Sequence, residues 1–251
     1  MNSFVQSEIE AAGLGDLRMN PGSIALGRAR LYHFFELALA HPGEEGFEYF
    51  RQTETENEFL EIFSEILEGD DVLRAKGLAS AKTFFSMIRD ISYEDVEAAH
   101  IGLFSVNYPN IPCPPYGSLY TAIDSDKRLE EMIAIKSFYH RNGVDIAESF
   151  KDLPDHLCVE LEFSQLLCFR ENEAATNGDA EVLGGIRSMQ TEFLDKFALP
   201  LGSSLADLAA ASKSENLYCA LLETMRCFLL RHRQELGPAA DFSSQDQEIQ
   251  S

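Results

Sequence analysis

The sequence predicts an all-α protein: a single globular domain of roughly eight to ten helices, interrupted by one long proline-rich loop. Apolar residues recur at i, i+3, i+4 and i+7 in one segment after another, while no stretch of useful length alternates as a strand would. Four prolines, at positions 109, 112, 114 and 115, fall between Val106 and Asp124, where no helix can continue. A loop of that length in a compact domain is usually functional or disordered.

Residues 1–21 show little periodicity and read as a flexible segment ahead of a helical domain spanning 22–236. The first helix starts at Ser23, carries Leu31, Phe34, Phe35 and Ala38 on one face, and stops at His41-Pro42-Gly43. Residues 44–71 hold eleven Asp or Glu against a single Arg, yet Phe59, Ile62, Phe63 and Ile66 keep helical spacing. That segment reads as one exposed helix with a solvated acidic face, or as a docking face for a basic partner. Gly69-Asp70-Asp71 ends it, and Leu73, Ala81, Phe84, Phe85 and Ile88 define the next helix. Ser92, with Asp95 three residues on, marks the N-cap of a helix running to about Ser105. Beyond the proline loop, residues 125–142 form a helix closed by Asn142-Gly143. Further helices are expected at 180–197 and 215–233, joined by a linker from Pro200 to Ser214 with room for one short helix. The tail at 237–251 is polar and acidic, and reads as disordered.

The helix around which the others are expected to pack lies within residues 152–171. Pro154 suits a first turn, where its missing N–H would have no partner, and Asp155 beside it complements the helix dipole. Leu157, Val159, Leu161, Phe163, Leu166, Leu167 and Cys168 point nearly all round the axis, the pattern of a buried helix. Against that background His156, Glu160 and Ser164 fall at i, i+4 and i+8 as a narrow polar stripe. Such a stripe needs partners, from other side chains or from outside the chain.

Composition excludes some classes. A net charge of −22 and a pI near 4.5 argue against binding nucleic acid or an anionic membrane surface. Five cysteines without a C-x-x-C pair read as small core residues in a reducing compartment. The first residues show no export signal and no run of 18 apolar residues exists, so the expected location is the cytoplasm and no stable membrane insertion is expected. No phosphate-binding or nucleophile-elbow motif occurs, and no cofactor or catalytic residue is expected. A ferritin-like metal site would need two Glu-x-x-His motifs; the chain has Glu97-Ala-Ala-His100, to which His156 and Glu160 could add. A metal-dependent helical-bundle enzyme built on those four is therefore one alternative, and a helical adapter for another protein segment is a second.

Leu103-Phe104, then Tyr108, then Pro114-Pro115-Tyr116-Gly117-Ser118-Leu119-Tyr120, then Asp155-His156 heading a Leu/Glu-rich helix, resemble the TorD/DmsD family of redox-enzyme maturation chaperones. The likeness runs from about residue 24 to 233, and the Pro-Pro-Tyr-Gly-Ser string is most similar to the DmsD branch. The resemblance implies an all-helical chaperone, not an enzyme. Such a protein binds the twin-arginine signal peptide of a molybdopterin-containing oxidoreductase catalytic subunit and assists cofactor insertion before export. It also implies a monomer or a domain-swapped dimer. Recognising such a leader calls for apolar and aromatic walls beside carboxylates, because arginine pairs with a carboxylate through two parallel hydrogen bonds. On this resemblance Asp155, His156, Tyr116 and Tyr108 are the expected contacts. Leu103, Phe104, Pro114, Pro115, Gly117, Ser118 and Tyr120 are expected to shape the site.

Overall fold

A computed structural model describes residues 24–106, 110–212 and 216–237. The expected N-terminal segment, most of the acidic tail and Tyr108 lie outside the described residues. Eleven α-helices follow in order: α1 (Ile24–Leu39), α2 (Glu44–Phe50), α3 (Thr53–Ile66), α4 (Asp71–Asp90), α5 (Tyr93–Phe104), α6 (Ser118–Thr121), α7 (Ser125–Arg141), α8 (Leu157–Asn177), α9 (Ala180–Phe193), α10 (Leu199–Ala211) and α11 (Leu217–Leu236). A π-helical turn, Leu194–Ala198, joins α9 to α10 without a break. Among the described residues there is no strand; an isolated antiparallel bridge joins Tyr116 and His156. No described helix is long and apolar enough to cross a membrane.

The α8 helix is buried on almost every side, as its sequence predicts, and its closest partner is α1. A second pairing sets α11 along α4 and α10. Phenylalanines fill the space between: Phe34, Phe35, Phe59, Phe84, Phe85 and Phe228 form one ring cluster, and Phe138, Tyr139, Phe163 and Phe193 another. Ser92 caps α5, its hydroxyl accepting from Asp95 N–H at 3.1 Å. Asn142 ends α7 and Gly143 takes the left-handed φ of +73° that follows it. All five cysteines are free thiols, with Cys113, Cys168 and Cys227 buried.

The structure corrects three expectations. The acidic segment is two helices, broken at Arg51-Gln52, rather than one. Phe50 and Phe59 are nine positions apart, so one straight helix would set them about 180° from each other. Both nevertheless meet Phe34, with ring centroids at 5.1 and 4.3 Å, and the break is what turns both inward. Pro200 does not begin a linker; helix runs through it to Ala211. Proline normally clashes with the carbonyl four residues earlier, and the wider π turn immediately before it relieves that conflict. Finally, α8 begins at Leu157, not at Pro154, with His156 as its N-cap. The backbone groups just ahead of it are engaged by the proline loop instead.

Candidate functional site

The loop and the start of α8 are one construction. Gly117 N–H donates to the Asp155 carbonyl and Leu157 N–H to the Pro115 carbonyl, both at 2.9 Å, enclosing the Tyr116–His156 bridge. This reciprocal pairing consumes groups that a helix starting at Pro154 would have used, which is why α8 starts late. The Asp155 carboxylate crosses the junction: its Oδ2 accepts from Ser118 N–H at 2.9 Å, the first residue of the one-turn α6. Asp155 therefore sits at the start of a helix, as expected of a carboxylate, but the helix is α6 rather than its own.

The remaining loop residues brace this junction. Cys113 N–H donates to the Leu103 carbonyl at 2.9 Å, fastening the loop to the end of α5. Leu103 and Phe104 are buried beneath it, with the Phe104 ring 4.9 Å from His100 and 5.5 Å from Tyr218. Pro115 is buried and Pro114 half-buried, and the Pro114 carbonyl accepts from the Tyr120 hydroxyl at 2.6 Å. Burial pushes the Tyr120 hydroxyl well up in pKa. The Tyr116 hydroxyl donates to Asp152 Oδ1 at 3.0 Å, and burial together with that carboxylate pushes it up to about 12. Its ring meets the His156 ring edge-on at 5.3 Å. Thr121 bonds to Glu131, tying α6 to α7.

The polar stripe resolves into three different fates. His156 Nδ1 accepts from Cys158 N–H at 3.1 Å, so the N-cap role falls to an imidazole, and burial holds its pKa below the ordinary histidine value. Ser164 donates to the Glu160 carbonyl at 2.8 Å, a partner within its own helix. Glu160, between them, is 1% exposed and neither of its carboxyl oxygens has a partner. Burial first, then the nearby Asp155, raises its pKa well above the usual carboxylate range. Asp155 Oδ1 and Ser118 Oγ are likewise buried without partners. Among the described residues no Lys or Arg pairs with Asp155 or Glu160. Unpartnered carboxyl oxygens thus collect under a proline loop that carries exposed apolar neighbours. Ile123 is 90% exposed, and Leu129 and Ile133 on α7 exceed half.

The four residues considered for a metal do not come together. His100 Nε2 bonds to the Leu39 carbonyl at 3.1 Å and Glu97 faces His41 at 3.9 Å. No group of three or more potential ligands occurs among the described residues.

One buried polar cluster escapes sequence reasoning altogether. Arg28 on α1 donates to Glu171 of α8 at 2.6 Å and to Glu235 of α11 at 2.9 Å. Gln190 of α9 donates to the same Glu171 oxygen at 3.0 Å and accepts from His232 Nε2 at 2.7 Å, while His232 Nδ1 accepts from the Tyr32 hydroxyl at 2.8 Å. The only hint in the sequence is an arginine set within the apolar run of α1, four residues before Tyr32.

The chain is 29% identical over 108 residues, 42% of its length, to the selenate reductase assembly chaperone protein of Thauera selenatis. It spans about half the length of that curated relative, 53%. A solved structure described as a redox enzyme maturation protein of Archaeoglobus fulgidus aligns over 86% of this chain and 99% of its own, at 18% identity and a TM-score of 0.46. The family model for the nitrate reductase delta subunit matches residues 70–207. That span is more than half of the chain and takes in the proline loop, the start of α8 and the junction between them, so the chain belongs to the nitrate reductase delta subunit family, the TorD-like group that its loop and helix motifs resemble.

Proposed function

We propose that this protein is a cytoplasmic chaperone, not an enzyme, that binds the twin-arginine leader of a molybdopterin oxidoreductase catalytic subunit and assists that subunit's maturation before export. Family membership and the assembly-chaperone name of the Thauera relative support the general role. The observation that carries the ligand class is the cation-free pair of buried carboxyl groups at the loop–α8 junction. A buried carboxylate is stable only when paired and hydrogen-bonded, and a guanidinium supplies both charge and a fork of donors. The half-buried rings of Tyr116 and His156 beside it, and the exposed apolar side chains on α7, suit the apolar stretch that follows the arginines. In this reading Asp155, His156, Tyr116 and Tyr108 touch the leader. Leu103, Phe104, Pro114, Pro115, Gly117, Ser118 and Tyr120 hold the surface they form. The Pro114–Tyr120 string favours a client of the DmsD branch.

The test is calorimetric titration with a synthetic leader peptide, set against the same peptide with both arginines replaced by glutamine. Saturable binding of the first, at least tenfold tighter than the second, is expected. Equal affinity for the two peptides would remove arginine recognition and leave the reading of a helical adapter for apolar segments.

A further inference from the structure

Glu160 stands out within the junction because nothing in the chain uses it. Its carboxyl group lies beneath the loop backbone at Gly117: a Cβ built on that glycine would stand 3.1 Å from Glu160 Oε1. Gly117 has an ordinary φ of −58°, so what the glycine supplies here is space and not backbone freedom. Any side chain here would press on this carboxyl and oblige it to give by a few tenths of an ångström. Three further polar atoms of the junction are buried without partners: the second Glu160 oxygen, Asp155 Oδ1 and Ser118 Oγ, the last two on residues joined by the Ser118 N–H to Asp155 Oδ2 bond.

Enclosure with no hydrogen-bond partner and no cation, together with the nearby Asp155, favours the neutral acid and raises the Glu160 pKa well above the usual carboxylate range. The surrounding groups reinforce this. Asp155 and Asp152 lie ahead of α8, and Tyr139 of α7 is within electrostatic reach of Glu160, Asp155 and Glu162. The Tyr116 hydroxyl is bound to Asp152, α1 brings Glu36 to the Cys158 end of α8, and burial lowers the pKa of both His156 and His100. None of these supplies a positive charge.

We propose that Glu160 is a further binding residue of the leader site, uncharged beneath Gly117 in the free chain and ionised when a leader guanidinium reaches it, so that binding releases a proton. The step balances simply. The Glu160 O–H bond breaks, the proton passes to solvent, and the carboxylate left behind accepts N–H donors from the arriving guanidinium. Asp155 Oδ1 and Ser118 Oγ lie at hand for the remaining donors. The loop must lift at Gly117 to admit the group, and the exchange of a neutral acid for an ion pair drives that movement. This assignment rests on the leader-binding reading above and adds to it a pH dependence that an ordinary exposed carboxylate would not give.

Calorimetry of wild-type chain with the two-arginine peptide, in phosphate and in Tris at pH 6, 7 and 8, reads the protons exchanged. Release approaching one proton is expected, with affinity rising by up to about tenfold per pH unit below the free-state pKa of Glu160. Glu160→Gln keeps the shape of the neutral acid but cannot ionise, so it should bind without proton release and with affinity flat in pH. His156→Gln, whatever its affinity, should retain the release. Carbon-13 NMR of the Glu160 carboxyl in the free chain should show a titration midpoint far above that of an ordinary glutamate. Binding with no proton exchange, or release lost in His156→Gln but kept in Glu160→Gln, overturns the role of Glu160 alone. Failure of the wild-type chain to bind the peptide overturns the leader-binding reading and this assignment with it, even if the free carboxyl titrates high.

Discussion

Two buried polar clusters sit about α8 and differ in one respect. Around Arg28, cations and carboxylates from four helices meet each other, and within that cluster Arg28 Nε alone lacks a partner. Around Asp155 and Glu160 there are two carboxyl groups, a hydroxyl, four atoms without partners and no cation. The same chain therefore builds one polar interior that is complete but for a single atom and one that lacks partners for four. A complete network fixes the packing of α1, α8, α9 and α11; an incomplete one has capacity left for something outside the chain.

The comparison is broken most severely at Arg28. Arg28→Met takes from the buried Glu171 its 2.6 Å partner and leaves Arg187 at 3.6 Å as its counter-charge, while the half-buried Glu235 keeps Arg231 at 3.0 Å. Stability should fall by about 3 kcal/mol, read as the urea midpoint at constant slope. Peptide affinity, measured on the fraction that stays folded, should not change. Asp155→Asn should do the opposite. Asparagine can still accept from Ser118 N–H, so stability should hold, whereas affinity for the two-arginine peptide should fall by about 1.5–3 kcal/mol. A variant that loses stability and keeps affinity would make Asp155 a cap for α6 and nothing more.

The two clusters also respond to pH with opposite sign. Burial, then Arg28, hold the His232 pKa well below the ordinary value. As pH falls through that ordinary value the unfolded chain takes up a proton that the folded chain refuses, and stability is lost, by up to about 1.4 kcal/mol per pH unit for each such histidine. Glu160 is raised instead. Its folded form keeps a proton that the unfolded chain gives up above the ordinary glutamate value, so its stabilising share is lost as pH rises towards the folded pKa. Urea midpoints across pH 5–9 should pass through a maximum. Glu160→Gln should flatten the alkaline limb. His232→Gln should reduce the slope of the acid limb without abolishing it, since His100 and His156 are depressed too. A smaller effect is expected at the loop: Gly117→Ala should destabilise by about 1 kcal/mol through its contact with Glu160. Combining it with Glu160→Ala should recover part of that loss.

How much of this was legible in the sequence follows from the range of each interaction. The all-helical fold, the Ser92 cap and the buried character of α8 are written in local spacing and came through directly. The break at Arg51-Gln52 and the passage of helix through Pro200 depend on which rings must meet and on a local π turn, and no residue near either point announces it. The polar stripe on α8 was visible, but periodicity alone could not say that Ser164 would satisfy itself, that His156 would cap the helix, or that Glu160 would be left over. Ser164 turns to its own helix, while the late helix start at His156 and the placing of Glu160 beneath Gly117 involve a loop some forty residues earlier in the chain. The Arg28 cluster, assembled from helices more than 200 positions apart, left almost no local trace.

The bridge between Tyr116 and His156 has a practical consequence for anyone exchanging parts between relatives. Residues 114–118 and 152–157 share backbone hydrogen bonds in both directions and a carboxylate that belongs to one segment while capping the other. A chimera that imports a new proline loop onto this scaffold, or a new helix start onto this loop, inherits half of a joint. Client specificity should therefore travel between homologues only when both segments are transplanted together, with the glycine at 117 and the glutamate at 160 matched as a pair.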